Sequence, residues 1–356
     1  MRRVLARLLV VLLGTLAGLA VAGPALAHVG GDAAGSDFDG RILSVRPEMP
    51  GVTVRVLQFG DQVEVVNRSG ADVEVPGYSD EPYLRIGPDG VWRNANSPAT
   101  YLNLDRYGRT TLPPDADPDA DPEWVQVSTE AQYLWHDHRT HWMSESMLPP
   151  AVAADPTRSH VVSTWTVPMA HAGTPVEVVG ELTWSPPPSP ELVWPVYAAL
   201  AALPVAAGLA ARGPRLLGGL LLLGAAAALG HALATPEPPT TVASHAGALV
   251  SALLPALAAV LVAGLGFRAA HRGRGALAGL SAVVLGWLML VQGLPDVDVL
   301  WTANVVSAGP DLLARAAVAV LVCLGAGCVV GGVAGVRRFR ETDRPRPAAP
   351  EPQPVG

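Results

Sequence analysis

The chain of 356 residues contains no lysine; all 24 of its basic residues are arginine. Cysteine occurs twice, at Cys323 and Cys328, and neither lies in the polar stretch 28–193, so that stretch folds without a disulfide. Aromatic residues make up only 5% of the chain and charged residues 15%. Scarce charge excludes a disordered chain, two cysteines exclude a disulfide scaffold, and glycine without a triplet period excludes collagen. Neither Gly-x-Ser-x-Gly nor His-Glu-x-x-His occurs, so the chain reads as a binding protein more than an enzyme.

Apolar residues are in excess, at half of the chain, and they are gathered in blocks. Residues 1–27 read as a secretory signal peptide. Arg2, Arg3 and Arg7 form a basic start, Leu8 to Ala22 an apolar core, and Ala25-Leu26-Ala27 a small-residue cleavage site that makes His28 the first mature residue. Five further apolar runs, 192–211, 216–234, 246–267, 276–294 and 312–336, each come near the ~20 residues that a spanning helix requires. Arg212 and Arg215 lie between the first and second runs. Arg268, Arg272 and Arg274 lie between the third and fourth, and Arg337, Arg338 and Arg340 follow the fifth. The other two loops, 235–245 and 295–311, hold no arginine. The positive-inside rule therefore puts the arginine-bearing ends and the C-terminus in the cytoplasm and residues 28–193 outside. In the fifth run Gly327, Gly331 and Gly335 recur every four residues, a face for close approach of a neighbouring helix. Cys323 and Cys328 read as small packing residues of that run, and Asp311 and Arg315 as a local i,i+4 pair.

Residues 28–193 carry 24 acids against ten arginines, a balance of −14, whereas residues 194–356 stand at +4. A domain that acidic does not hold nucleic acid through its phosphates, but it attracts cations. From residue 41 onward it reads as short strands: Ile42 to Val45; Val52, Val54 and Val56 at period two; and Val63 to Val66 paired with Val73 to Val75 across the Asn67–Gly70 turn. Tyr83 to Ile86 and Val91 to Trp92 flank the turn Pro88-Asp89-Gly90, and Trp124 to Val127, Gln132 to His136, Val161 to Val167 and Val176 to Trp184 follow. The expected architecture is an antiparallel β-sandwich over 28–184, of immunoglobulin-like or cupredoxin-like type. A proline-rich linker, 185–191, joins it to an all-α membrane domain of five helices over 192–336, with a disordered cytoplasmic tail over 337–356. The alternating aspartates Asp115, Asp117, Asp119 and Asp121 lack the glycine and closing glutamate of an EF-hand and read as a solvated loop.

The chemistry-bearing segment is Tyr133-Leu134-Trp135-His136-Asp137-His138-Arg139-Thr140-His141-Trp142-Met143. His136 and His138 share one face of a strand, and His141 closes a site if the strand turns. Met143 follows, then Met147, His160, Met169 and His171. Imidazole with thioether favours copper, and three histidines alone suit zinc equally. Two tryptophans and an arginine among the histidines also suit a hydrogen-bonded polar core without metal, with Asp137 or Glu145 satisfied by imidazole. The segment resembles one carried by a group of uncharacterised exported actinobacterial proteins, in which Trp-His-Asp-His-Arg-x-His-Trp-Met precedes a few C-terminal spans; that resemblance implies layout alone. The layout, with His28 at the mature N-terminus, is also distantly similar to that of copper-resistance periplasmic and membrane proteins. This second resemblance implies a histidine brace, in which the free amine and imidazole of His28 chelate Cu(II) and another histidine completes the site. The candidate metal ligands are therefore His136, His138, His141, Met143 and His28. The expected partners are a metal ion, the membrane and envelope proteins, in a role of tolerance, sensing or delivery.

Overall fold

A computed structural model describes residues 33–340. The expected signal peptide, His28 and the tail from residue 341 lie outside the described residues. The first part of the chain is β1 (Gly35–Ser36), β2 (Phe38–Arg46), β3 (Val52–Leu57), β4 (Gln62–Asn67), β5 (Val73–Pro76), β6 (Pro82–Gly87), β7 (Gly90–Asn94), a short helix α1 (Ala99–Leu102), β8 (Trp124–Ser128), β9 (Gln132–His136), a second short helix α2 (Pro150–Ala154), β10 (His160–His171) and β11 (Thr174–Trp184). Two antiparallel sheets result, of orders β2-β11-β10-β5-β6-β7-β8 and β3-β4-β9.

Alternation fixes which side of each strand is buried. Val63 and Val65 of β4 and Trp135 of β9 meet Val73, Ile86, Trp165, Val167 and Leu182 of the large sheet in one shared core. Each such aliphatic side chain contributes about 1.5–3 kcal/mol by leaving water. The longest hairpin, β10–β11, closes through Ala172 and Gly173, both at positive φ (49° and 75°), a primed two-residue turn whose twist suits the flanking strands. Gly180 leaves room for the Trp165 indole opposite it.

One expected pairing is different. β4 pairs with β3 and β9, and β5 pairs with β6 and β10 in the other sheet. Both edges of β4 are occupied, so the Asn67–Gly70 turn carries the chain between sheets. Asn67 stabilises the crossing by donating through Nδ2 to the Ala71 carbonyl at 2.6 Å and the Ile86 carbonyl at 2.7 Å.

After Trp184 the chain enters five helices long and apolar enough to cross a membrane: α3 (Pro190–Leu209), α4 (Arg215–Leu233), α5 (His245–His271), α6 (Gly275–Gly293, continued by 3₁₀ turns to Leu300) and α7 (Asp311–Phe339). The chain is a multi-pass membrane protein. Small residues set the spacing of α3, α6 and α7. A Cβ on Gly327 or Gly331 would run into the α3 backbone at Ala201 or Pro204, and one on Gly332 would meet the Gly279 carbonyl of α6 at 2.6 Å. The expected glycine face is thus a real contact, and α7 uses two of its faces in this way. Cys328 is fully buried and Cys323 partly so, and both are free thiols.

The two ends of the bundle are chemically distinct. At one end Arg338 donates to the Leu209 carbonyl at 2.7 Å, and Phe339 packs on Gly275. This end holds the 210–214 and 272–274 connections with their arginines. At the other end Ala308 N–H donates to the Ala234 carbonyl at 3.0 Å and Tyr197 to the Leu300 carbonyl at 3.0 Å. The sandwich docks there. β1 pairs with β12 (Asn304–Val305), a two-residue strand between α6 and α7. Asp37 accepts from Ala303 N–H at 2.8 Å, and Asp298 from Gly35 N–H at 3.1 Å. Glu64, fully buried, accepts from Thr240 N–H at 2.6 Å and Thr240 Oγ1 at 2.8 Å, and is ion-paired with Arg55. Arg55 also reaches Glu237 at 3.3 Å. Exposed Trp194 and Trp301 ring the same end, where aromatic residues mark a membrane–water interface. Arg315 differs from expectation. It donates to the carbonyls of Val299, Thr302 and Ala303, because the last turn of the preceding 3₁₀ segment offers orphan acceptors within its reach.

Candidate functional site

The segment after β9 leaves the small sheet and folds into a tight turn. Asp137, with no exposed surface, organises it. Its Oδ1 accepts from Arg139 N–H at 3.1 Å and Arg139 Nε at 2.8 Å, and its Oδ2 from Arg139 Nη2 at 2.7 Å and Trp135 Nε1 at 2.9 Å. Its carbonyl accepts from Thr140 N–H at 3.0 Å and Thr140 Oγ1 at 2.8 Å. Burial alone would raise the Asp137 pKa, but the Arg139 guanidinium and the Trp135 donor reverse that and hold it below the ordinary carboxylate range. Arg139 also lies over the Tyr78 ring, 5.2 Å from its centroid. Thr140 bonds to the Gly60 carbonyl. Gly60 sits at φ 111°, and a Cβ there would press on the Thr140 carbonyl at 2.8 Å, so only glycine serves this contact.

Two of the candidate histidines meet. The rings of His138 and His141 are 5.7 Å apart, edge to face. His138 Nε2 bonds to the Asp105 carbonyl at 2.9 Å, and its ring stacks on Tyr78 at 5.7 Å. His141 Nδ1 bonds to the Trp142 carbonyl at 3.1 Å and lies 3.6 Å from Asp61 Oδ1, which Arg106 Nε meets at 2.9 Å. His141 Nε2 is buried with no hydrogen-bond partner among the described residues. Burial pushes the His141 pKa down to about 4; the Trp142 carbonyl opposes this and the nearby Arg106 charge adds to it. His141 is therefore neutral at pH 7.

The remaining candidates are dispersed. His136 closes β9 opposite Gln62. Met143 is 39% exposed and Met147 67%, so neither thioether is sunk into the cluster. His160 and His171 occupy the two ends of the twelve-residue β10, bonded to the Asp155 carbonyl at 2.7 Å and Ser69 Oγ at 2.9 Å. Met169 is in the sandwich core. On the membrane side, Met289 is buried in the helix core, and His231 pairs with Asp296 at 3.2 Å. Among the described residues no group of three or more His, Cys, Asp or Glu is arranged to hold a metal ion.

Sequence reasoning missed Tyr78, Asn103, Asp61 and Arg106, which enclose the segment. Tyr78 accepts from His138 N–H at 3.0 Å and donates to Asn103 Oδ1. The sole local signal was Tyr101-Leu-Asn-Leu-Asp-Arg-Tyr-Gly108, a polar–aromatic run with no period. Compared with known protein families, curated proteins and solved structures, the chain matches none.

Proposed function

We propose that this multi-pass membrane protein carries its β-sandwich on the extracytoplasmic face, and that the sandwich is an interaction module of the cell envelope with the Trp135–Met143 segment as its polar core. The arginine-bearing loops gather at the bundle end opposite the sandwich, and the positive-inside rule puts that end in the cytoplasm. The observation that carries the reading of the segment is its bonding. Asp137 is satisfied by Arg139 and Trp135, and His138 and His141 each spend one ring nitrogen on a main-chain carbonyl. Such a network fixes the loops over the open end of a sandwich.

A second reading, copper binding with zinc as the alternative, draws on the same bonds. A ring N–H donated to a carbonyl leaves the other nitrogen with its lone pair free, as in metal-bound imidazoles. His138 and His141 fit that arrangement at 5.7 Å between rings, and His136, His28 or Met143 would complete the set.

Melting of the full-length protein in detergent separates the readings. As a polar core, His138→Ala and His141→Ala lower Tm equally with and without Cu(II) or Zn(II), and metal leaves the wild type unchanged. A metal-dependent rise of several degrees, lost in His138→Ala, overturns that reading in favour of a metal site. Labelling a cysteine placed at Ser185 with an impermeant maleimide in intact cells tests the orientation. Protection from the reagent would overturn it.

A further inference from the structure

Five arginines of the β-domain are partly buried: Arg55, Arg85, Arg93, Arg106 and Arg139. Four of them meet a carboxylate, respectively Glu64, Asp72, Asp61 and Asp137. Arg93 meets none, and its side chain makes no hydrogen bond or ion pair among the described residues. Its cross-strand neighbours on β7 are Leu84 and Val125. In a domain with 24 acids against ten arginines, a half-buried guanidinium left without an acid stands out. Desolvating a charge that nothing offsets is costly, and acids are plentiful enough to have supplied a partner.

Arg93 lines a pocket of about 200 Å³ that opens where the two sheets part, between β7, β9 and α1. The other polar groups there are donors or neutral. Asn103, 7% exposed, lines the pocket beside the Tyr83 hydroxyl, with which its side chain interacts, and its Nδ2 has no hydrogen bond of standard geometry among the described residues. The Tyr133 hydroxyl likewise makes no hydrogen bond among the described residues. Among the described residues no aspartate or glutamate lines the pocket. Tyr133 and Trp135 stack at 6.2 Å and an interplanar angle of 21°, which gives one wall an apolar face.

We propose that this pocket binds the carboxylate of a small ligand. Arg93 takes the two oxygens in a forked pair, Asn103 Nδ2 or the Tyr133 hydroxyl donates a further bond, and a short aliphatic tail lies on the Tyr133–Trp135 wall. At ~30 Å³ per water the pocket holds the equivalent of about six or seven waters, which limits the ligand to a short carboxylic acid or the end residue of a peptide. The absence of an acid from the lining disfavours a free amino acid, whose ammonium would have no partner. The pocket touches the histidine segment through Asn103 and Trp135, but its charged group, Arg93, and Tyr133 lie outside that segment's hydrogen-bond network, so the Arg93 test does not depend on the reading of the histidines.

The test uses the full-length protein in detergent micelles, with saturation-transfer NMR and tryptophan fluorescence as readouts. The probes are propionate, its neutral isostere propionamide, alanine, and an N-acetylated dipeptide with a free C-terminus. The expected result is saturable binding of propionate, at least tenfold weaker binding of propionamide and alanine, at least tenfold loss in Arg93→Gln and a smaller loss in Tyr133→Phe. Tighter, Arg93-dependent binding of the dipeptide would identify a peptide terminus as the source of the carboxylate. Equal binding of propionate and propionamide, no binding of either carboxylate, or unchanged affinity in an Arg93→Gln protein with wild-type Tm would overturn the proposal.

Discussion

In the sandwich, Glu64 and Asp137 are fully buried, and each is met by an arginine and by further donors. In the bundle, the fully buried side chains are leucine, alanine, valine and methionine with Cys328 and Ser281 among them, none of them charged, and helices approach one another over glycine. The sandwich lies in water, where apolar burial drives collapse but does not choose among similar packings. Charged clusters with fixed geometry add that choice, because an unmatched charge in a core is costly. The bundle lies in lipid, where apolar contact gains little over lipid contact, so close backbone packing decides which helices meet.

The contrast can be broken most strongly at Gly331. A leucine there has no room beside Pro204 of α3, and Gly331→Leu is expected to abolish monodisperse protein in detergent chromatography. Gly230→Leu, at a site with nothing within 4 Å, leaves it intact. A soluble-looking Gly331→Leu protein would show that glycine packing does not hold α3 to α7. Next in size is Asp137→Ala. It strands the Arg139 guanidinium inside the sandwich and should cost about 3–5 kcal/mol, read as a fall in the sandwich's melting transition while the helical signal persists.

Acid should then act on the sandwich through His141. His141 stays neutral in the fold down to about pH 4, whereas the unfolded chain takes up its proton near pH 6.5. The unfolded state therefore binds more protons between these values, and stability falls with acid by up to about 3 kcal/mol across that window. Asp137, whose carboxylate pKa is lowered by its partners, loses its contribution only below the ordinary carboxylate range. Equilibrium unfolding from pH 7 to 4 should show the first loss in the wild type and not in His141→Gln. The smallest effect is expected at Ser281. Its Oγ is buried in the bundle without a hydrogen bond among the described residues, so Ser281→Ala should change Tm little or raise it slightly. A clear loss would mean that the bundle also depends on polar contacts.

Most strands and all five spans were legible in the sequence because their signals are local. Period-two valines mark β3 and β4, and runs of about twenty apolar residues mark the helices. The arginine pattern gave the two ends of the bundle for the same reason. The partners were not legible. Glu64, flanked by valines, reads as the water-facing side of a strand, yet it is buried because Thr240, 176 residues away, covers it. Arg315 reads as a mate for Asp311, yet it faces carbonyls that only the fold brings near. The candidate site was half legible. His138 and His141 do meet, but Asp61 and Arg106, which set the charge around His141, are separated from it by long stretches of chain.

The pairing of β1 with β12 has a consequence in time. Ser36 and Asn304, bonded at 3.1 Å, are 268 residues apart in the chain. The ribosome makes the first strand early and its partner late, after four of the five helices have been threaded into the bilayer. β1 must therefore wait, and the sandwich is fastened to the bundle through this pairing only when the membrane part is nearly complete. A chain that stalls or inserts wrongly leaves β1 without its partner strand, so the same two-residue pairing that fastens the domain also exposes a failed assembly.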